Sequence, residues 1–523
     1  LAALEALEGL REGSAGRLRV LAMVARDQAC EHPDKACHGD ACPLARGFYD
    51  RMPAAREEAV VLGWLDAPEQ RRIALRHGIC PYYLGQELVR WADVLVGDVH
   101  HLFDGAGQLW GLRQALDWRL AVLVDEAHNL VERARTMYSA ELRLHPMRRA
   151  AHTAPSAVRG PLRALVHATE ALVADAAGPY EVLEPTPDAF VQALQAAAAA
   201  LAEHFRQQPL AVGPLLDFSF DLRRFARLVE TLNDHSLLDL QTPSGGVDDP
   251  AAGPRVAGAS PGDVGDAADA VLCVRNVAPA CFLRPRFEAL SSVVLFSATL
   301  APPDHAIRLL GLPAGTAWID VPPAFPAEHL TVRVADRLST RYADRAGSLE
   351  RLAGVIATQF DAHPGNYLAF FSSFEYLEQA ASRLAARRPD IPQWRQDRRM
   401  GADARRDFLA RFDPRGRGVG FAVLGGVFAE GVDLPGPLLI GAFIATLGLP
   451  PVSVTQDRIR ARLAALFGAD HGDADLIPAL QKVVQAAGRV LRTPEDRGWL
   501  WLLDDRYRRA DVVRLLPPSW RIT

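Results

Sequence analysis

Leu120-Ala121-Val122-Leu123-Val124 runs directly into Asp125-Glu126-Ala127-His128, and the reading of this stretch sets the fold class. A short apolar run closed by charge reads as a buried parallel strand with functional groups at its C-terminal end. The pattern recurs. Val293-Val294-Leu295-Phe296 precedes Ser297, Tyr367-Leu368-Ala369-Phe370-Phe371 precedes Ser372, and Phe421-Ala422-Val423-Leu424 precedes Gly425. Open α/β sheets bind their ligands at that edge. Helical patterns fill the gaps between these runs, so the class is α/β with parallel sheets.

With 523 residues, 49% of them hydrophobic and 23% charged, the chain is too long for a single core, and three or four domains are expected. The formal net charge of −5 neither favours nor excludes nucleic acid. The segment from Arg383 to Arg417 is dense in arginine. It reads equally as a solvated helix face or as a surface for phosphates. The long uncharged stretch from Leu434 to Gln456 carries Pro435, Pro437, Pro450 and Pro451, which excludes a spanning helix, and no membrane association is expected.

Two adjacent carboxylates at a strand end suit Mg²⁺ and an attacking water, with Asp125 on the metal and Glu126 polarising the water. His128 then faces a partner domain. The bland alternative is a strand end that caps a helix. Far downstream, Gln485-Ala486-Ala487-Gly488-Arg489-Val490-Leu491-Arg492 places two guanidinium groups three apart, read as one helical face. Such forks suit the charge that builds on a transferring γ-phosphate. The loop G-x-x-x-x-G-K-[ST] that cradles phosphates is absent. The chain has only Lys35 and Lys482, followed by Ala36 and Val483, and it opens on Leu1. The expectation is an N-terminal truncation that leaves ATP binding poor and hydrolysis negligible.

Cys30, Cys37, Cys42 and Cys80, spaced C-x6-C-x4-C-x37-C, can supply four thiolates to one metal centre. Paired C-x2-C knuckles are missing, and long uneven loops suit a [4Fe–4S] cluster. His32, His38 and His77 keep a mixed zinc site open, and unligated thiols are a third reading. The other two cysteines, Cys273 and Cys281, read as buried thiols in a helical context. Clustering of four cysteines near one end argues against a disulfide framework and for a reducing cytoplasm. From about Val131 to Leu290 the chain is Ala/Leu-rich and helical, with a Gly/Pro/Asp-rich tract at 242–268 expected to be disordered. It separates two motifs that must converge, so it reads as an inserted domain.

As a set, these motifs resemble the iron–sulfur DNA helicases of superfamily 2, of XPD and DinG type, in its bacterial DinG-like branch. DEAHNL (125–130) looks like the family's Walker B motif and VVLFSATL (293–300) its third motif. YLAFFSSFEYLE (367–378), GGVFAEGVDLPG (425–436) and QKVVQAAGRVLR (481–492) are similar to the fourth, fifth and sixth. ICPYYLGQELVRWADVLVGDVHHLFD (79–104) resembles the last cluster cysteine and the strand after it, and STRYADR (339–345) the entry to a second motor domain. The resemblance implies two RecA-like motor domains, the first interrupted by a cluster domain and a mainly helical Arch domain. The implied segments are a remnant of the first motor domain (1–29), the cluster domain (30–92), the first motor domain (93–130 and 291–325), the Arch insertion (131–290) and the second motor domain (326–523).

Carried over by residue, the resemblance makes Cys30, Cys37, Cys42 and Cys80 the cluster ligands and gives Asp125 and Glu126 to Mg²⁺ and water. It has Ser297, Thr299 and Ser372 couple hydrolysis to DNA grip, and sets Glu430, Gly431 and Asp433 at the interdomain cleft. Gln485, Arg489 and Arg492 complete the ATP site. It implies a monomeric, ATP-driven motor that moves 5′ to 3′ on single-stranded and forked DNA, in repair or replication maintenance in a bacterial cytoplasm. A rival reading is a non-catalytic DNA-binding scaffold that keeps the fold and lacks the phosphate loop. A helicase-nuclease is the weaker rival, because no nuclease carboxylate–lysine motif is evident.

Overall fold

The computed structural model describes residues 2–13, 18–208, 213–243, 269–323, 325–429, 433–468 and 474–522. From residue 244 on, the tract expected to be disordered lies outside them. The described residues up to Leu120 and between Glu132 and Asn276 form one unit, and Ala121–Val131 with Val277 onward form another.

In the first unit, β1 (Val20–Ala22), β2 (Trp64–Leu65) and β3 (Val94–Val96) make a parallel sheet in the order β2-β1-β3. Its core gathers Leu21, Ile73, Ile79, Leu84 and Leu88. Arg19 grips Asp93 through Nε and Nη2, at 2.9 and 2.7 Å, and so ties the entry of β1 to that of β3. The strand β4 (Ala121–Val124) belongs to the other unit. The first unit continues with β5 (Ala140–Arg143), β6 (Tyr180–Val182), β7 (Ser236–Gln241) and β8 (Val271–Asn276), an antiparallel sheet in the order β5-β8-β7-β6.

The Ala/Leu-rich stretch does form long helices. Asp188–Gln207 buries Phe190, Leu194, Ala197 and Leu201, one stripe of an amphipathic helix. The sheet beside them was not evident in that composition. It corrects the helical context assigned to Cys273, which lies buried in β8 opposite Asp239 of β7. Cys281 does lie on a helix, Ala280–Ala289, and its side chain is exposed rather than buried.

In the second unit, β4 pairs in parallel with β9 (Ser292–Leu295), in a register that aligns Val124 with Leu295. These two strands are less buried than their sequences suggest, with Leu123 73% and Val294 51% exposed. Two strands alone leave part of each face open. The larger sheet comprises β10 (Leu330–Val334), β11 (Asn366–Phe371), β12 (Gln393–Arg395), β13 (Gly418–Val423), β14 (Gly441–Ala445) and β15 (Gly498–Leu502). Its order is β10-β15-β14-β11-β13-β12, and every pairing is parallel.

All of β11 and β14 is buried, as expected of central strands covered on both faces. Helices Arg345–Ala362 and Phe374–Arg387 pack on one face, and Leu476–Ala487 packs on the other. Gly441 is required where β14 passes β11, because a Cβ there would stand 2.6 Å from the Tyr367 ring. Parallel pairing brings the chain after β11, β13, β14 and β15 out at one edge. No helix among the described residues is long and apolar enough to cross a membrane.

Candidate nucleotide site

The register of β4 and β9 sets Asp125 beside Phe296 and brings Ser297 to Glu126. Phe296 N–H donates to Val124 O at 3.0 Å and Ala127 N–H to Phe296 O at 3.1 Å, which extends the pairing past both strand ends. Glu126 then takes a left-handed conformation, φ 48°, with its N–H held by Asp125 Oδ1 at 2.8 Å. That conformation costs about 1–2 kcal/mol outside glycine. It turns the Glu126 carboxylate outward, 64% exposed, while His128 turns in with its side chain 4% exposed.

His128 sits at the centre of a directed chain of hydrogen bonds. Gln485 Nε2 donates to His128 Nε2, so the imidazole proton is on Nδ1. His128 Nδ1 lies 2.6 Å from Ser297 Oγ and 3.3 Å from Glu126 Oε2. Ser297 Oγ in turn donates to Glu126 Oε2 at 3.5 Å and accepts from Thr299 N–H at 3.1 Å. Five of the residues singled out in the sequence, Glu126, His128, Ser297, Thr299 and Gln485, therefore form one connected cluster. It also takes in Gln481, which sequence reasoning missed. One turn before Gln485 on the same helix, Gln481 Nε2 donates to Thr299 O at 2.7 Å. Its spacing of four from Gln485 was the available signal.

The arginines require a correction. The helix ends at Ala487 with Gly488 as its cap, so Arg489 and Arg492 lie on the turn beyond it rather than on one helical face. The chain leaves the helix because Val490 is drawn into the core and Asp496 captures the Arg492 and Thr493 N–H groups at 2.7 and 2.8 Å. Arg489 rests on Ala429 O through Nε and Nη2, at 3.3 and 3.1 Å, and Arg492 Nε lies 3.3 Å from Asp433 Oδ1. Glu430 and Gly431 lie outside the described residues. Ser372 stands apart from the cluster at the end of β11, its Oγ shielded and without a partner.

In the first unit Cys30, Cys37, Cys42 and Cys80 line one small, partly open pocket with Glu31, His32 and Tyr83. All four are unpaired, Arg26 Nη2 lies 3.2 Å from Cys37 Sγ, and burial pushes the Cys80 thiol up. Among the described residues no three His, Cys, Asp or Glu side chains close on a single metal ion. His77 is instead held by Glu58 at 2.8 Å.

Two family profiles match, DEAD_2 over residues 17–147 and the helicase C-terminal domain over 356–523. The chain belongs to the XPD/DinG-type helicases of superfamily 2. It is 30% identical over 269 residues to the ATP-dependent helicase DinG of Mycobacterium tuberculosis, covering 49% of this chain and 39% of that one. It is 28% identical over 253 residues to the XPD subunit of general transcription and DNA repair factor IIH from Arabidopsis thaliana, covering 45% of this chain and 33% of the relative. The matched stretches thus span well under half of these relatives. A solved XPD helicase superposes with a TM-score of 0.58 at 17% identity over 98% of this chain and 87% of its own, a likeness of fold.

Proposed function

We propose that this chain is the greater part of an ATP-dependent DNA helicase that moves 5′ to 3′ on single strands. The observation that carries the reading is the chain of hydrogen bonds from Gln485 through His128 and Ser297 to Glu126. It links a helix packed on the six-stranded sheet to the carboxylate best placed to polarise water at β4. A shift of that helix alters the Glu126 environment, and a change at the phosphates is felt by the helix, which is the coupling a motor needs. In this reading Asp125 holds Mg²⁺, and Arg489 and Arg492 swing from their resting contacts on Ala429 O and Asp433 to the charge that builds on the γ-phosphate. Residues 326–523 act as the second motor domain, with Asp433, Glu430 and Gly431 at its cleft and Ser372 on the DNA side.

We propose that the four thiols would hold a [4Fe–4S] centre; their lining of one pocket and the Arg26 Nη2 donor beside Cys37 Sγ support that reading. The cluster would serve as a structural node of residues 30–92, beside an Arch insertion at 131–290. The expected setting is a bacterial cytoplasm, the expected substrate forked or single-stranded DNA, and the expected state a monomer in repair or replication maintenance. The sequence contains no phosphate-binding loop, so turnover is assigned to a longer protein that supplies one. That same absence favours, as a second reading, a DNA-binding scaffold without turnover. Steady-state ATP hydrolysis by the loop-containing protein separates them. Asp125→Asn/Glu126→Gln should retain DNA binding and lose at least about a hundredfold in rate, and unchanged rates would remove both carboxylates from the mechanism.

A further inference from the structure

The arginine-rich segment from Arg383 to Arg417 is sorted by the fold into groups with different fates. Arg387 Nη1 pairs with Glu350 at 2.7 Å, Arg388 pairs with Asp361 and Asp390 at 2.7 Å each, and Arg395 pairs with Glu378 at 2.6 Å. Those guanidinium groups brace neighbouring helices. Arg411, Arg415 and Arg417 precede β13 and so lie toward the opposite end of the sheet from the nucleotide machinery. Arg398 and Arg399 differ from both groups. They leave β12 at the edge where the chain after β13 carries Ala429, the carbonyl that holds Arg489. Both are exposed, and neither has a carboxylate partner among the described residues.

Their presentation is fixed from below. Gln396 is buried, donates its N–H to Phe421 O at 2.9 Å and accepts Val423 N–H on Oε1 at 2.9 Å, which ties the loop root to β13. Asp397 Oδ1 takes the Arg399 N–H at 2.7 Å, so the one carboxylate in the turn serves the backbone. The Arg398 guanidinium stands 5.3 Å from the centroid of the Phe374 ring, across from the loop that follows β11. An arginine braced on an aromatic ring offers its N–H fork with little freedom left to lose.

We infer that Arg398 and Arg399 grip adjacent phosphates of a single DNA strand at the β12 end of the sheet edge, with Phe374 as a positioning residue that holds Arg398. This rests on the proposed single-strand substrate and adds the residues that would hold it. Two guanidinium groups without a carboxylate partner among the described residues suit a chain of phosphates, and the aromatic face beside them suits a sequence-independent strand. Placement on the edge shared with the Arg489 loop would let the grip respond to nucleotide state.

Binding of a labelled oligothymidylate to this chain, followed by fluorescence anisotropy between about 50 and 200 mM salt, tests the inference. Arg398→Gln/Arg399→Gln should weaken binding about tenfold and flatten the log–log salt slope by about 1.4, the value for two lost phosphate contacts on a single strand. Phe374→Leu should weaken binding a few-fold while leaving the slope alone, since both charges remain. Arg387→Gln, which removes a braced guanidinium, should change neither quantity. Wild-type affinity and slope in the double variant, with its thermal melt unaltered, would overturn the assignment while leaving the single-strand substrate intact. Failure of the wild-type chain to bind would overturn the single-strand reading, and the arginine grip with it.

Discussion

Asp504 at the end of β15 shows how much a single buried carboxylate can organise. It is fully buried and accepts Thr340 N–H at 2.8 Å, the Thr340 hydroxyl, and Arg506 through Nε and Nη2 at 2.7 and 2.9 Å. Burial alone would push this carboxyl up, but the Arg506 and Thr340 hydrogen bonds outweigh it and hold the group at about 2. A depressed carboxyl stabilises the fold above its ordinary value of 3.8, and that contribution is lost as pH falls from about 4 to about 2. Asp504→Asn should therefore cost about 2–3 kcal/mol at neutral pH. Denaturant melts of both proteins should converge as pH approaches 2, and a constant gap would show that the ionised form is not what matters. Nothing in the sequence flagged Asp504, because one aspartate after a strand looks like any other until Thr340, distant in sequence, is brought beside it. Asp125, Glu126 and His128 were legible because the chemistry and the strand that positions it are contiguous.

At the scale of elements, short apolar runs located four parallel strands to within about three residues; β11 and β13 are buried on both faces and so leave an unbroken apolar signature, whereas β4 and β9 carry the same signature while partly exposed. The antiparallel β5-β8-β7-β6 sheet escaped notice. Its strands are short, mix charge with apolar residues, and are drawn together from 140 to 276 by contacts that local pattern does not encode. The end of the helix Leu476–Ala487 was likewise set by tertiary capture of its trailing N–H groups at Asp496. The cysteine loops form a further element, and their proposed cluster makes a compositional prediction. Anaerobically purified protein should contain roughly four iron and four acid-labile sulfide per chain. Cys37→Ser or Cys42→Ser should lose both, whereas about one zinc without sulfide would replace the cluster with a mononuclear site.

For the whole molecule, family membership and the hydrogen-bonded junction at His128 accord with the proposed motor, since the junction joins the Glu126 carboxylate to the helix Leu476–Ala487. The order of motifs along the chain was readable from sequence, and so was the class of fold. Gln481 meets Thr299 across 182 residues and Gln485 meets His128 across 357, so only the structure displays these contacts. The most direct test of the motor is strand separation by the loop-containing protein on forked duplexes with either a 5′ or a 3′ single-stranded tail. The account predicts ATP-dependent separation of the 5′-tailed substrate and little of the 3′-tailed one. Tight binding to both with no ATP-dependent separation of either would contradict it and leave the scaffold.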